Sequence, residues 1–233
     1  MSLFHPITVK CPKCEADVTV KAVGSVNADR RPDFREAILD DRFQDTTCGA
    51  CEHSFRLQPE FNYLDAGNGQ WIAAMPAPDM PRYLEIEDVV SDLFAQSYGP
   101  KAPKAARDVG DKLSVRLTFG WPAVREKLLC AAHDLDDVVL EMMKLDLLRK
   151  LPSSPIGPGI ELRLVAVVDD TLALCWMQSA REEVLEQFTC PRGWYDTISS
   201  NPDAWAAVHA QLSDGAFVDI QKLYMGAGRA AAE

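Results

Sequence analysis

Two pairs of cysteines, Cys11-Pro-Lys-Cys14 and Cys48-Gly-Ala-Cys51, carry the most legible chemistry in this chain. A two-residue gap lets both sulfurs of a tight turn point at one ion. Two such turns brought together supply the four thiolates of a tetrahedral Zn2+ site. Pro12 fixes φ in the first turn. The expected ligands are therefore Cys11, Cys14, Cys48 and Cys51, holding one Zn2+ per chain. Four cysteines close the coordination shell and leave no place for a reactive water, so the zinc is expected to be structural. Two disulfides are the rival use of the same residues, and a reducing compartment disfavours them. His53 lies too close to Cys51 to ligate without strain and reads as an edge-strand residue. Cys130 and Cys175 read as small buried apolar residues. Cys190 sits before Pro191 in a turn that could expose it, with no paired base.

A second group that could do chemistry is Asp136, Asp137 and Glu141, readable as a metal or acid–base cluster. Helix capping explains most of it more simply: Asp134 is the expected N-cap, with Asp136 and Asp137 in an acidic first turn. Glu141 and Lys144 form an i, i+3 pair. On that reading, Asn at either aspartate costs about 1 kcal/mol or less. Histidine offers little for catalysis, with only His5, His53, His133 and His209 present. No nucleotide-binding loop, serine elbow or His-Glu-x-x-His helix occurs, and Gly157-Pro-Gly is too short to cradle phosphate.

The chain has 233 residues, 47% hydrophobic and 25% charged, which excludes disorder, collagen and coiled coil. Its longest apolar run, Leu164 to Val168, falls far short of the roughly 18 residues that span a bilayer. Met1 to Lys10 shows no basic segment followed by a secretory apolar run, so the expected location is the cytoplasm. A net charge of −11 repels phosphate backbones. Acidic side chains outnumber basic ones even within residues 1–60, and Lys101, Lys104 and Arg107 fall in a Pro-rich stretch that reads as a solvated linker.

Stepping outward from the cysteines, Ala16 to Val23 alternates as a strand, and Pro32 to Asp40, with Phe34 and Ile38 at i, i+4, reads as a helix between the knuckles. Phe43 to Thr47 leads into the second knuckle and His53 to Gln58 leaves it. Glu60 to Met75 reads as a hairpin about Gly67-Asn68-Gly69. Pro76, Pro78 and Pro81 mark the expected boundary between a zinc-bearing part, 1–78, and the remainder, 79–233. Beyond it the pattern predicts a helix over Glu85–Tyr98 with Ile86, Val89, Val90, Leu93 and Phe94 on one stripe, a strand over Lys112–Phe119, and two helices within 121–150. It then predicts a loop over Pro152–Gly159, a hairpin of Ile160–Val168 with Leu172–Met177, helices over Arg181–Phe188 and Asp203–Leu212, a last strand over Phe217–Tyr224 and a fraying tail from Gly226. The fold class is α+β, with a zinc-ribbon-like β-rich amino-terminal part carrying an inserted helix, and a mixed helix and sheet carboxyl-terminal part.

Cys11-Pro12-x-Cys14, the insert Pro32 to Ile38, the second pair Cys48 and Cys51, and the downstream runs Arg125 to Leu129 and Leu135 to Lys144 together resemble the CpXC-domain family of bacterial and archaeal proteins, over most of the chain. Leu135, Asp136, Asp137, Glu141 and Lys144 match its downstream helical motif. Knuckles of this kind often place Gly, with positive φ, after the second cysteine; Glu15 and Glu52 stand there instead, at a backbone cost. The resemblance implies the zinc site and brings no established reaction. The reading is a non-catalytic zinc protein acting as a protein-interaction or regulatory module, its partner unidentified. A nucleic-acid-binding regulator is the alternative, disfavoured by charge, and an enzyme with a site in the carboxyl-terminal half is the third.

Overall fold

Both knuckles are the turns of hairpins. In the computed structural model, which describes residues 2–151, 157, 159–178 and 181–225, β1 (Leu3–Lys10) and β2 (Asp17–Asn27) pair antiparallel and close on Lys10↔Asp17, just outside the first cysteine pair. Strand β1 had no counterpart in the sequence reading, because Pro6 interrupts it and its side chains are largely exposed, leaving no apolar alternation to see. Strands β3 (Asp45–Thr47) and β4 (Ser54–Arg56) form a separate two-stranded ribbon around the second pair. Helix α1 (Pro32–Leu39) joins the hairpins, opening on Pro32 as expected and burying Ala37 and Ile38.

The first hairpin belongs to a five-stranded sheet of order β1-β2-β5-β6-β7, completed by β5 (Phe61–Asp65), β6 (Gln70–Met75) and β7 (Ser114–Phe119). Pairs β2–β5 and β6–β7 are parallel and the others antiparallel. Of the two turn glycines, only Gly69 takes positive φ, 63°. The sheet runs across residue 78: between β6 and β7 lie a 3-10 turn over Ala77–Arg82, helix α2 (Tyr83–Tyr98) and helix α3 (Lys104–Gly110). Lys104 and Arg107 are thus helical rather than linker, since Pro103 precedes the helix instead of interrupting it. On α2, Val90 is buried but Val89 and Leu93, expected on the same stripe, are exposed.

Helix α4 (Trp121–Ala132) is shared between the two halves. Trp121, Val124 and Leu128 join a core with Val23, Ile38, Phe43, Phe61 and Ile72, while its other side meets β8 (Ile160–Val168). Strand β8 pairs with β9 (Thr171–Gln178), and β9 with β10 (Glu183–Pro191), in an antiparallel sheet of order β10-β9-β8. Helices α5 (Asp137–Lys150), α6 (Arg192–Ser199) and α7 (Pro202–Leu212) pack with this sheet around Leu140, Met143, Leu174, Trp176, Ile198 and Leu212. A short α8 (Gln221–Tyr224) follows.

Two expected elements change type. Arg181–Phe188 is not a helix but lies largely in β10; a register shift between Val184 and Glu186 breaks the alternation that would have marked a strand, leaving a spacing that imitates a helix. Phe217–Tyr224 is not a strand: Phe217 to Ile220 run as an irregular buried strap before α8, their apolar character serving burial without a neighbouring strand. Apart from Gly157 and Gly159, the loop expected over 152–159, and the whole tail from Gly226, lie outside the described residues. Among the described residues, no helix is long and apolar enough to cross a membrane.

Trp121 ties the second hairpin to the first sheet. Its ring lies 5.4 Å from that of Phe61 and 5.9 Å from that of Phe43, and its Nε1–H donates to the Leu57 carbonyl at 2.7 Å. Trp121→Phe keeps an aromatic ring and strands that buried carbonyl, so we expect a loss of about 1–3 kcal/mol. Urea unfolding checks this through a lower midpoint at constant slope; an unchanged midpoint would contradict the anchoring role.

Candidate metal centre

The two knuckles repeat one backbone pattern. Cys11 N–H donates to the Ala16 carbonyl and Glu15 N–H to the Cys11 carbonyl; in the second knuckle, Cys48 N–H donates to His53 and Glu52 N–H to Cys48, all at 2.9 Å. Both chains turn through positive φ one residue after the second cysteine, 60° at Glu15 and 57° at Glu52. The geometry is therefore that of the glycine-favouring turn, and each glutamate bears its strain.

The turns face each other and cross their sulfurs. Cys11 Sγ lies 3.7 Å from Cys51 Sγ, and Cys14 Sγ 3.7 Å from Cys48 Sγ, with all four ligand atoms within 4.8 Å of one another. A tetrahedral Zn2+ with Zn–S bonds of about 2.3 Å holds its sulfurs about 3.8 Å apart, so the set fits that ion. All seven cysteines are free thiols, so the four are not used as disulfides. Cys11 and Cys48 are each 1% exposed, whereas Cys14 lies at the surface. Burial alone would raise the Cys11 thiol, but N–H groups of Lys13 and Cys14 and the neighbouring thiols bring it down to about 7. The Ala16 N–H acts to lower the Cys14 thiol, yet the sulfurs around it, Cys51 foremost, push it up to about 12. Four thiols this close compete for protons, and a cation in their midst removes the competition. His53 is outside the cluster and stacks on Phe55 at 6.4 Å.

Residues invisible as site residues in the sequence hold the second hairpin in place. Gln44 accepts a hydrogen bond from Val23 N–H at 2.8 Å and donates to the Lys21 carbonyl, bridging to β2. The Arg56 guanidinium lies 4.3 Å from the Trp121 ring and donates to the Phe43 carbonyl.

Asp136, Asp137 and Glu141 divide into separate roles. The N-cap of α5 is Asp136, not Asp134: its Oδ1 accepts from Val138 N–H (2.7 Å) and Val139 N–H (3.2 Å). Asp134 instead takes φ 51° and lets the chain reverse after α4, with Leu135 N–H donating back to the Cys130 carbonyl. Asp137 is more than a first-turn charge, for Arg116 grips both its oxygens (2.7 and 2.8 Å) and Lys127 Nζ lies at 2.8 Å. Burial would raise this carboxyl; Lys127 and Arg116 outweigh it and hold the group well below the usual carboxylate range. Glu141 and Lys144 do pair, at 2.7 Å, but both are fully buried, and Lys144 also meets Glu126 at 2.7 Å.

A cleft of about 230 Å3 borders Asp136 and Asp137 together with Gln70, Arg116, Lys127 and Cys130. Arg116 and Lys127 bind Asp137 there, Asp136 is taken up in capping α5, and burial pushes the Cys130 thiol well up, against nucleophilic use. Cys175 and Cys190 are buried, so the turn suspected of exposing Cys190 does not.

Asn caps helices about as well as Asp, so Asp136→Asn is expected to cost only a few tenths of a kcal/mol. Asp137→Asn breaks a buried pair and should cost about 3 kcal/mol, well beyond the 1 kcal/mol the capping reading allowed. A carboxyl depressed by folding contributes stability above its unfolded pKa and loses it in acid, so the gap between wild type and Asp137→Asn should narrow below about pH 4. Urea titrations of the two variants at neutral and acid pH check both statements.

A profile described as CpXC protein matches residues 9–144. No curated protein and no solved structure gives a match. The matched stretch takes in both knuckles, α1 and α4, and ends inside α5 at Lys144, the last residue of the downstream motif that carried the resemblance. With both cysteine pairs and the motif around Asp136 to Lys144 inside one match over more than half its length, the chain belongs to the CpXC family.

Proposed function

We propose that this is a structural zinc protein of the cytoplasm, in which one Zn2+ on Cys11, Cys14, Cys48 and Cys51 fixes a zinc-ribbon-like pair of knuckles for contact with a protein partner in a regulatory or scaffolding role. The observation that carries this reading is the crossing of two like-built knuckles with sulfurs 3.7 Å apart. An all-thiolate shell leaves no open position for a substrate or water, which favours an architectural metal. Free cysteines suit a reducing compartment. Pro12, Lys13, Gly49 and Ala50 at the knuckle tips are exposed and available to a partner. Nucleic acid is the less supported partner: the chain carries −11, and four thiolates with one Zn2+ add about two further negative charges.

Elemental analysis of chain purified without chelator should return one zinc. Removing it, or Cys48→Ser, should unfold the knuckle region, because structural zinc contributes about 10–16 kcal/mol of apparent binding energy. Thermal unfolding unchanged by chelation would overturn the architectural role. Duplex DNA or RNA should not bind at physiological salt; submicromolar, salt-sensitive binding would replace the protein-partner reading with the nucleic-acid one.

A further inference from the structure

Beside helix α4, where it lies against β8, the carboxyl-terminal sheet borders a cavity of about 400 Å3. Strand β9 forms its floor. Cys175 and Met177 alternate there with Leu174 and Trp176, which turn to the opposite face and pack with α5, α6 and α7. Cys175 and Met177 are buried, yet among the described residues they join none of the hydrophobic clusters. Both strands flanking β9 lose register beside the cavity, β8 between Leu164 and Ala166 and β10 between Val184 and Glu186. Bulges of this kind bend a strand and re-aim its side chains. Leu164, Ala166 and Val184 line the walls, together with Pro122 from the start of α4.

The rim is polar. Arg125 lines it, partly exposed, with its Nε–H donating to the Leu39 carbonyl at 2.7 Å and its Nη1 3.0 Å from Asp41. Asp41 and Glu182 line it as well, and both are reached by Nη1 of Arg56, at 3.4 and 3.0 Å. Arg56 therefore stands directly beside the rim. Its side chain is only 9% exposed, held through Nε by the Phe43 carbonyl and against the Trp121 ring. Its Nη2 is buried and, among the described residues, has no hydrogen-bond partner. Unmade buried donors are costly, and a guanidinium carries five N–H groups. The rim carboxylates are already bridged by arginines; what is left over is N–H.

We propose that this cavity binds a small amphipathic carboxylate, its hydrocarbon part over Cys175 and Met177 between the two bulges and its carboxylate on the arginines of the rim. An apolar interior with a few polar groups at one end selects a ligand built the same way. Unmade N–H groups call for an acceptor, and a planar carboxylate matches a guanidinium. An amine head would meet two arginines with their own carboxylates already in place. With two arginines and two carboxylates at the rim, the head is held by hydrogen bonds rather than by surplus positive charge, which suits one negative charge better than the two of a phosphate. Asp41, Arg56, Pro122 and Arg125 come from the family-matched stretch, and β8, β9 and β10 from beyond it. A ligand seated here touches both, and this role is separate from that of the metal.

Octanoate, octanol and octylamine share one tail and differ in the head, and methyl NMR of the full zinc-loaded chain reads their binding at Met177. Octanoate should shift that methyl saturably and bind about tenfold more tightly than either of the others, the worth of one charge-assisted hydrogen bond. In Arg125→Gln octanoate should lose this advantage while octanol binds as in the wild type. Val184 is 52% exposed at the cavity wall, so Val184→Trp should leave the fold intact and weaken all three. No saturable shift at Met177, no preference for octanoate, or octanoate binding unchanged in Arg125→Gln would overturn the site. Should Arg125→Gln not fold, the order of the three heads on the wild type decides alone.

Discussion

Four sulfurs meeting at one point are the constraint on which the amino-terminal half turns. The β3–β4 ribbon is three residues to a side and exposes most of its surface, too little pairing to stand alone in water. Its position comes from its neighbours: the Gln44 bridge to β2, Arg56 over Trp121, and above all the crossing of Cys48 and Cys51 onto Cys14 and Cys11. The strained φ of Glu15 and Glu52 makes sense in that light. Backbone strain persists where surrounding structure over-determines it, and four bonds to one ion would do that.

The carboxyl-terminal half is organised around another device. Where the knuckles gather four sulfurs in a spacing that fits a cation, the α4–α5–β8 junction gathers opposite charges and buries them. Glu126 accepts from Lys144, Arg163 and the Leu164 N–H together. Such clusters contribute less stability than an apolar core of the same volume, but removing one member leaves its partners stranded, so they fix which elements adjoin. Lys144, the last residue of the family match, is thus completed by Arg163 and Asp219 from outside it through shared carboxylates. The family unit and the carboxyl-terminal layer share one interior.

The clustering of the four cysteines was legible because its signal is local: two residues between cysteines, twice, with a helix signalled by Pro32 between them. The pairs β5–β6 and β8–β9 were legible from apolar runs about Gly69 and Asp169. What escaped was set by tertiary context. Strand β1 has little buried face to betray it, β10 is masked by its bulge, and the strap is apolar without being a strand. The roles of Asp137 and Glu141 depended on Arg116, Glu126, Arg163 and Asp219, distant in sequence. One signal was available: Glu161 and Arg163 interrupt a strand otherwise apolar on both faces, and charges in such a place need partners of their own.

X-ray absorption at the zinc edge of the purified full-length chain tests the central claim most directly. The account predicts a first shell of four sulfurs at about 2.3 Å with no nitrogen or oxygen scatterer. A shell containing nitrogen or oxygen would mean that His53, a carboxylate or water completes the site, and would contradict a closed, architectural centre.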